Sequence, residues 1–248
     1  MRRAWSLIAL AIAAFLVFAV VTFPASLALS WFAPQNVRAY GASGTLWHGR
    51  APVLVVEGVR LGAVEWDLHA LSLLIARLDA DVRLTRVDGY ANARLSATPA
   101  GRVSFTDLDA TLPFAALPAG IAPPGWSGTL SLKLAHLSLE DAWPVDIEGT
   151  VDALNLNGPP GRPMNLGNYR ITFAPGQTSG ETLTGALVDT GGPLQLTGTL
   201  QLKPDRSYVI EGMIATRPDA PPGIANTLQY LGPADSQGRR PFSLAGTP

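Results

Sequence analysis

The stretch that decides the fold is Gly128-Thr129-Leu130-Ser131-Leu132-Lys133-Leu134-Ala135-His136-Leu137-Ser138-Leu139-Glu140. Leucine takes every second position as far as Leu134, then returns at Leu137 and Leu139 after a one-residue shift at Ala135-His136. Strict alternation puts one set of side chains on one face of a strand and leaves the other face polar. The shift reads as a β-bulge, where one inserted residue changes the facing pattern. Similar runs lie on both sides: Leu78-Ala80-Val82-Leu84, Tyr169-Ile171-Phe173, Leu194-Leu196-Gly198-Leu200-Leu202 and Tyr208-Ile210-Gly212-Ile214. Turn signals separate them, among them Asp88-Gly89, Gly158-Pro159-Pro160-Gly161, Pro175-Gly176 and Lys203-Pro204-Asp205. Short alternating runs punctuated in this way predict antiparallel β structure.

Composition agrees. Gly and Pro number 25 and 21 of 248 residues, well above their ordinary joint share of about 12%. That punctuation speaks against a helical bundle. Two short helices are predicted, over Ala70–Ile75 and over Gly223–Leu231. In the second, Ile224, Leu228 and Leu231 share a face between Pro221-Pro222 and Gly232. Gly-Thr followed by an apolar residue recurs at Gly44, Gly128, Gly149 and Gly198. The spacing is irregular, so this is a strand device and not a solenoid repeat. The Pro-rich segment near 112–126 either divides the sheet into halves or interrupts one continuous sheet. The strand Gly192–Leu202 reads equally as an edge or as a central strand.

Arg2 and Arg3 precede an apolar run from Ala4 to Phe23, broken only by Ser6 and Thr22. About 20 residues is the length of helix that crosses a hydrocarbon core of roughly 30 Å. Trp5 at one end and Trp31 with Phe32 at the other suit the two interfaces, and Pro24 ends or bends the helix. The run exceeds the h-region of a signal peptide, although Ser26-Leu27-Ala28 would suit cleavage. An uncleaved anchor is expected, with the arginines keeping the N-terminus in the cytoplasm and the rest exported. Residues 1–30 then form the cytoplasmic tip and transmembrane anchor, and 31–248 an all-β domain. The expected fold is mainly β: an antiparallel, twisted or curved sheet with two short helices, preceded by one transmembrane helix.

Several function classes drop out. The net charge is −1, and without Arg2 and Arg3 the remainder is mildly acidic, so nucleic acid is not an expected partner. The chain has no cysteine, which excludes disulfides, zinc ribbons and cysteine nucleophiles. It carries no nucleophile elbow, Walker loop, dinucleotide fingerprint or HExxH motif. His48, His69 and His136 are far apart, with no second histidine at ligand spacing. Asp79 with Asp81, and Asp107 with Asp109, would each share a strand face. That spacing allows acid–base work but reads first as a solvated face. Trp47, Trp66, Trp126 and Trp143 read as core or rim aromatics. No catalytic residue, cofactor or metal is expected, so an enzyme is the weakest class.

The segment Gly44-Thr45-Leu46-Trp47-His48-Gly49-Arg50-Ala51 resembles the opening signature of the type II secretion system protein N family. Trp66 in Val64-Glu65-Trp66-Asp67-Leu68 fits that family's first strand. Gly191-Gly192-Pro193-Leu194-Gln195-Leu196-Thr197-Gly198 is similar to its late strand. The ending Leu231-Gly232, Gly238-Arg239 and Gly246 is similar to its C-terminal helix and last strand. The resemblance implies a single-pass inner-membrane protein, N-terminus cytoplasmic and β domain periplasmic, that docks other secretion components while folded exoproteins are exported. It assigns no catalytic residue, and the matched glycines and tryptophans read as structural. More loosely the chain resembles AsmA-like envelope proteins, which implies a lipid-carrying or envelope-maintenance alternative. A sheet with one greasy concave face would favour that alternative, and a filled core with an exposed apolar edge would favour docking.

Overall fold

The computed structural model describes residues 2–33, 36–56, 58–117, 125–159, 164–177 and 180–247. The predicted turn at Gly158–Gly161 falls partly outside them, as do the side chains of Trp5 and Phe32. A first helix, α1 (Arg2–Val21), is followed across Pro24 by α2 (Ala25–Phe32). At 1.5 Å per residue the 20 residues of α1 run about 30 Å. Among the described residues, which leave out the side chains of the first turns of α1, no helix is long and apolar enough to cross a membrane.

Everything after α2 is built on one antiparallel sheet. Its first members are β1 (Val37–Tyr40), β2 (Ser43–Gly44), β3 (His48–Val56), β4 (Val59–Leu68), β5 (Leu78–Thr85), β6 (Tyr90–Ala97) and β7 (Arg102–Pro113). They continue as β8 (Ser127–Glu140), β9 (Trp143–Asn157), β10 (Asn165–Phe173), β11 (Leu183–Gly191), β12 (Leu194–Leu202), β13 (Tyr208–Thr216) and β14 (Arg240–Gly246). From β3 onward each strand pairs with the next in sequence, while β1 and the short β2 both pair with the far side of β3. No pairing among the described residues joins β1 to β14, so the sheet is open. It runs unbroken past the Pro-rich segment, with Leu112 opposite Leu130 and Pro113 opposite Thr129. Residues 118–124 of that segment lie outside the described residues.

The alternation read in β8 is the sheet's own. Leu132 stands opposite Ala110 on one side and Val151 on the other, and Ile171 stands opposite Val151 and Leu187. The shift at Ala135 is a bulge against β9, since Leu134 pairs with Gly149 and His136 with the next residue, Glu148. On its other side β8 keeps register with β7, which carries its own irregularity against β6 at Asp107, φ 53°. The two strands therefore change face together, and the apolar set stays on one side.

That side forms the core. Leu134, Ile147, Phe173 and Leu183 are buried as one cluster. Each such side chain contributes roughly 1.5–3 kcal/mol when fully withdrawn from water. A single layer can bury them only by coiling. The 3-10 turn Phe114–Ala116, at the end of β7, lies against β4, three strands away; that is about 14 Å across a flat sheet. The expected helices are present, as a 3-10 turn over Ala70–Ile75 and as α3 (Pro222–Leu228), prolonged by a 3-10 turn over Gln229–Leu231. α3 closes one end of the inner face, with Ile224 packed on Leu187, Leu194, Leu196 and Ile214.

The edge reading of Gly192–Leu202 is corrected. β12 is paired along its length with β13, and from Thr197 to Leu202 with β11 as well. An inner row of leucines with outward Thr and Gln looks alike in both settings, because alternation reports faces and not edges. The open edges are β1 with β2, and β14, whose Pro241 suits a strand lacking one neighbour.

Candidate functional site

The first signature cluster assembles where α1 meets the sheet. The indole N–H of Trp47 donates to Val20 O (2.8 Å), and Leu46 N donates to Phe23 O (2.8 Å). Pro24 bridges to Thr45. Leu68 N then donates to Trp47 O (2.6 Å), tying the end of β4 to the same point. Trp66 donates its indole N–H to Leu46 O (3.0 Å) and lays its ring on Gly49. A Cβ at Gly49 would collide with that ring, so glycine there makes room for the tryptophan. Gly44, at φ 91°, turns the chain into β3 in a conformation that side chains rarely adopt. Gly44, Leu46, Trp47, Gly49 and Trp66 thus form one joint.

Beside this joint lies an apolar cleft of about 480 Å³ between α2 and the inner face. Leu29 of α2, Leu46, Trp66, Leu68, Leu73 and Leu78 line it. Nothing in the lining hydrogen-bonds through a charged side chain, so the cleft selects for apolar shape and not for a polar group.

The second signature cluster is at the other end of the sheet order. Gly191 and Gly192 make the β11–β12 turn, and Leu194 enters the core beneath α3. Gly198 stands opposite Gly212, and a Cβ on Gly198 would strike the Glu211 carbonyl. The turn is clamped by a pair that sequence reasoning missed. Arg217 binds the Asp189 carboxylate and also donates to Gly192 O (2.7 Å) and Leu194 O (2.9 Å). Asp189 Oδ1 in turn accepts Leu196 N–H at 2.7 Å. Its side chain is only 8% exposed. Facing Asp189, Tyr169 donates to Leu166 O (2.5 Å). Burial, with Asp189 adding to it, pushes the phenol up to about 12. A signal existed: the alternation Leu183, Gly185, Leu187 places Asp189 at a core-facing position.

The third set closes the chain. Arg240 donates to Gly232 O, and the Asp235 carboxylate accepts N–H groups from Gln237 and Arg239 as well as the Arg239 guanidinium (3.0 Å). The Arg239 backbone N–H is the largest cause holding the Asp235 carboxyl below its ordinary value. Gly238 belongs to this turn, Leu231 stays partly exposed, and Gly246 lies under the Tyr208 ring. The three sets are local joints on different strands and meet at no common centre.

The polar candidates are taken up by neighbouring polar side chains. Asp79 accepts Ser96 Oγ (2.6 Å) and Arg77 Nε (2.9 Å), and the Ser96 bond foremost lowers its pKa. Asp81, on the same outer face, meets His69 (3.1 Å) and Arg94 (3.4 Å). Asp109 accepts Tyr90 Oη, while Asp107 lies 4.0 Å from Arg94. His48 neighbours Asp67, and His136 neighbours Asp146 and Ser138. Among the described residues no group of three or more His, Cys, Asp or Glu side chains could hold a metal ion. Trp143 donates to Lys203 O across the turn between β12 and β13.

Fold and site together define an open-sheet protein whose shaped surfaces are an apolar cleft and two unpaired strand edges. The family model described as type II secretion system (T2SS), protein N, matches residues 35–243. The chain belongs to that family, and membership makes it a component of the secretion system that interacts with other components. It is similar to the type II secretion system protein N of Vibrio cholerae serotype O1 (strain ATCC 39315 / El Tor Inaba N16961), 28% identical over 246 residues and covering 92% of each chain. It is also similar to the protein of that name from Aeromonas hydrophila, 25% identical over 255 residues and 99% of each chain. No solved structure matches.

Proposed function

We propose that this chain is an accessory inner-membrane component of the type II secretion machine, anchored by α1 and docking other components through its periplasmic sheet. The observation that carries the reading is the family match over 35–243 on a sheet with two open edges. An unpaired edge offers backbone donors and acceptors to an incoming strand, and alternate side chains supply selectivity. β14 is the better edge, because β1 is only four residues long. α1 supports the anchor: its described side chains Leu10, Phe15, Leu16, Val17 and Phe18 are all more than half exposed, as a lipid-facing helix requires. The arginines at its start favour a cytoplasmic N-terminus. The domain is not proposed to turn over a substrate.

The test is deletion of the gene, with crosslinking from native membranes through a photoreactive residue at Ser243 of β14. Impaired release of exoproteins and crosslinks to secretion components support the reading. Normal secretion with misplaced phospholipid would move the assignment to a second reading, an AsmA-like lipid carrier. The apolar cleft beside α2 favours that second reading, and acyl chains co-purifying with the protein would strengthen it.

A further inference from the structure

Between β4 and β5 the chain makes one 3-10 turn, Ala70-Leu71-Ser72-Leu73-Leu74-Ile75, and it is built inside out. Leu71, Leu74 and Ile75 are 80%, 83% and 73% exposed. The one polar side chain, Ser72, is instead partly buried, near the Asp79 carboxylate. A turn made to face water reverses that arrangement. Nor is the turn loosely held. His69 N donates to Asp79 O (2.8 Å), Ala76 N to Leu73 O (3.1 Å) and Arg77 N to Ser72 O (3.1 Å). Asp79 is itself fixed by Ser96 and Arg77. The three aliphatic side chains are presented outward by a rigid base.

The turn also has a particular address. It begins just after Leu68, which is bonded to Trp47 O, and Trp47 is bonded to Val20 near the end of α1. The exposed leucines therefore project from the strand end at which α1 leaves the sheet. Trp31 of the following helix is 68% exposed as well. The partner's chemistry follows from what the turn lacks. Residues 70–76 carry no charge, no aromatic ring and no methionine, whereas the cores of protein interfaces are enriched in aromatics, Met and Arg. A surface of short aliphatics without hydrogen-bonding partners suits a featureless apolar medium.

We propose that Leu71, Leu74 and Ile75 insert into the leaflet from which α1 emerges, giving the sheet a second membrane contact that sets its tilt. The inference rests on α1 as the membrane anchor and names a further contact beyond it. Because the chain has no cysteine, single nitroxide labels report it cleanly. Leu74→Cys, Phe15→Cys in α1 and Val87→Cys in the β5–β6 turn at the opposite strand end are labelled in the full chain. Each is reconstituted in phosphatidylethanolamine–phosphatidylglycerol vesicles. The Leu74 and Phe15 labels should be several-fold more accessible to oxygen than to a nickel chelate, and the Val87 label should show the reverse. A Leu74 label as wet as Val87, with Phe15 in lipid, overturns the insertion and leaves the anchor standing. A Leu74 label shielded from both reagents overturns it in favour of a protein contact. A wet Phe15 label overturns the anchor and the inference together.

Discussion

Arg217→Ala should loosen the β11–β13 end of the sheet while leaving β4–β8 as protected as before. The substitution strips a guanidinium from the 8%-exposed Asp189 and removes donors from Gly192 O and Leu194 O. Breaking a buried pair from one side costs about 3–5 kcal/mol, because a charge is left without its partner. Arg217 is itself 34% exposed, so water reaches the vacated side and the lower end applies, about 3 kcal/mol. That is roughly a hundredfold in an opening equilibrium. The strands contact chiefly their sequence neighbours, so such a loss stays local, as in a one-dimensional array. Hydrogen exchange read by mass spectrometry should show Leu194–Leu202 exchanging about a hundredfold faster, and Leu78–Thr85 unchanged. Arg217→Lys, which keeps the charge and loses the fork, should fall between. Unchanged protection in β12, or equal loss in β5 and β12, would refute the reasoning.

Two further expectations concern single groups. Tyr169 is neutral in the fold up to about pH 12, against an ordinary 10.0. Its contribution is full below pH 10 and is lost as pH rises from 10 to 12; the tyrosinate absorbance step near 12 should vanish in Tyr169→Phe. Gly49→Val should drive a side chain into the Trp66 ring, lowering stability by about 1–3 kcal/mol and altering the near-ultraviolet tryptophan dichroism. Gly223→Ala, with nothing within 4 Å of the added carbon, should stay within about 0.5 kcal/mol of the parent.

What was legible in the chain was whatever repeats at short range. The leucines of β8, the bulge at Ala135, the Ala70–Ile75 turn and the Pro-to-Gly frame of α3 all announce themselves within a few residues. The pairings that fasten the sheet do not. Asp189 and Arg217 lie 28 residues apart, and the Trp66 ring reaches Gly49 only because β3 and β4 are in register. Edge status escaped for a different reason: pairing is made by backbone groups, which every residue of β12 carries alike. The exposed leucines of the Ala70–Ile75 turn were visible as an apolar run, but their outward aim depends on how backbone bonds tie the turn to the start of β5.

The strand order has a consequence for how the molecule comes into being. A chain that appears from its N-terminus lays β3 against the joint at Trp47, and each later strand then meets a finished neighbour. No segment must wait for a distant partner, so closing entropy is small at every step and the low separation of contacts favours quick assembly. Growth is vectorial, like a zipper drawn away from a fixed stop. Among the described strands β14 is the last tooth, and its outer backbone groups remain in the state that had received every earlier strand.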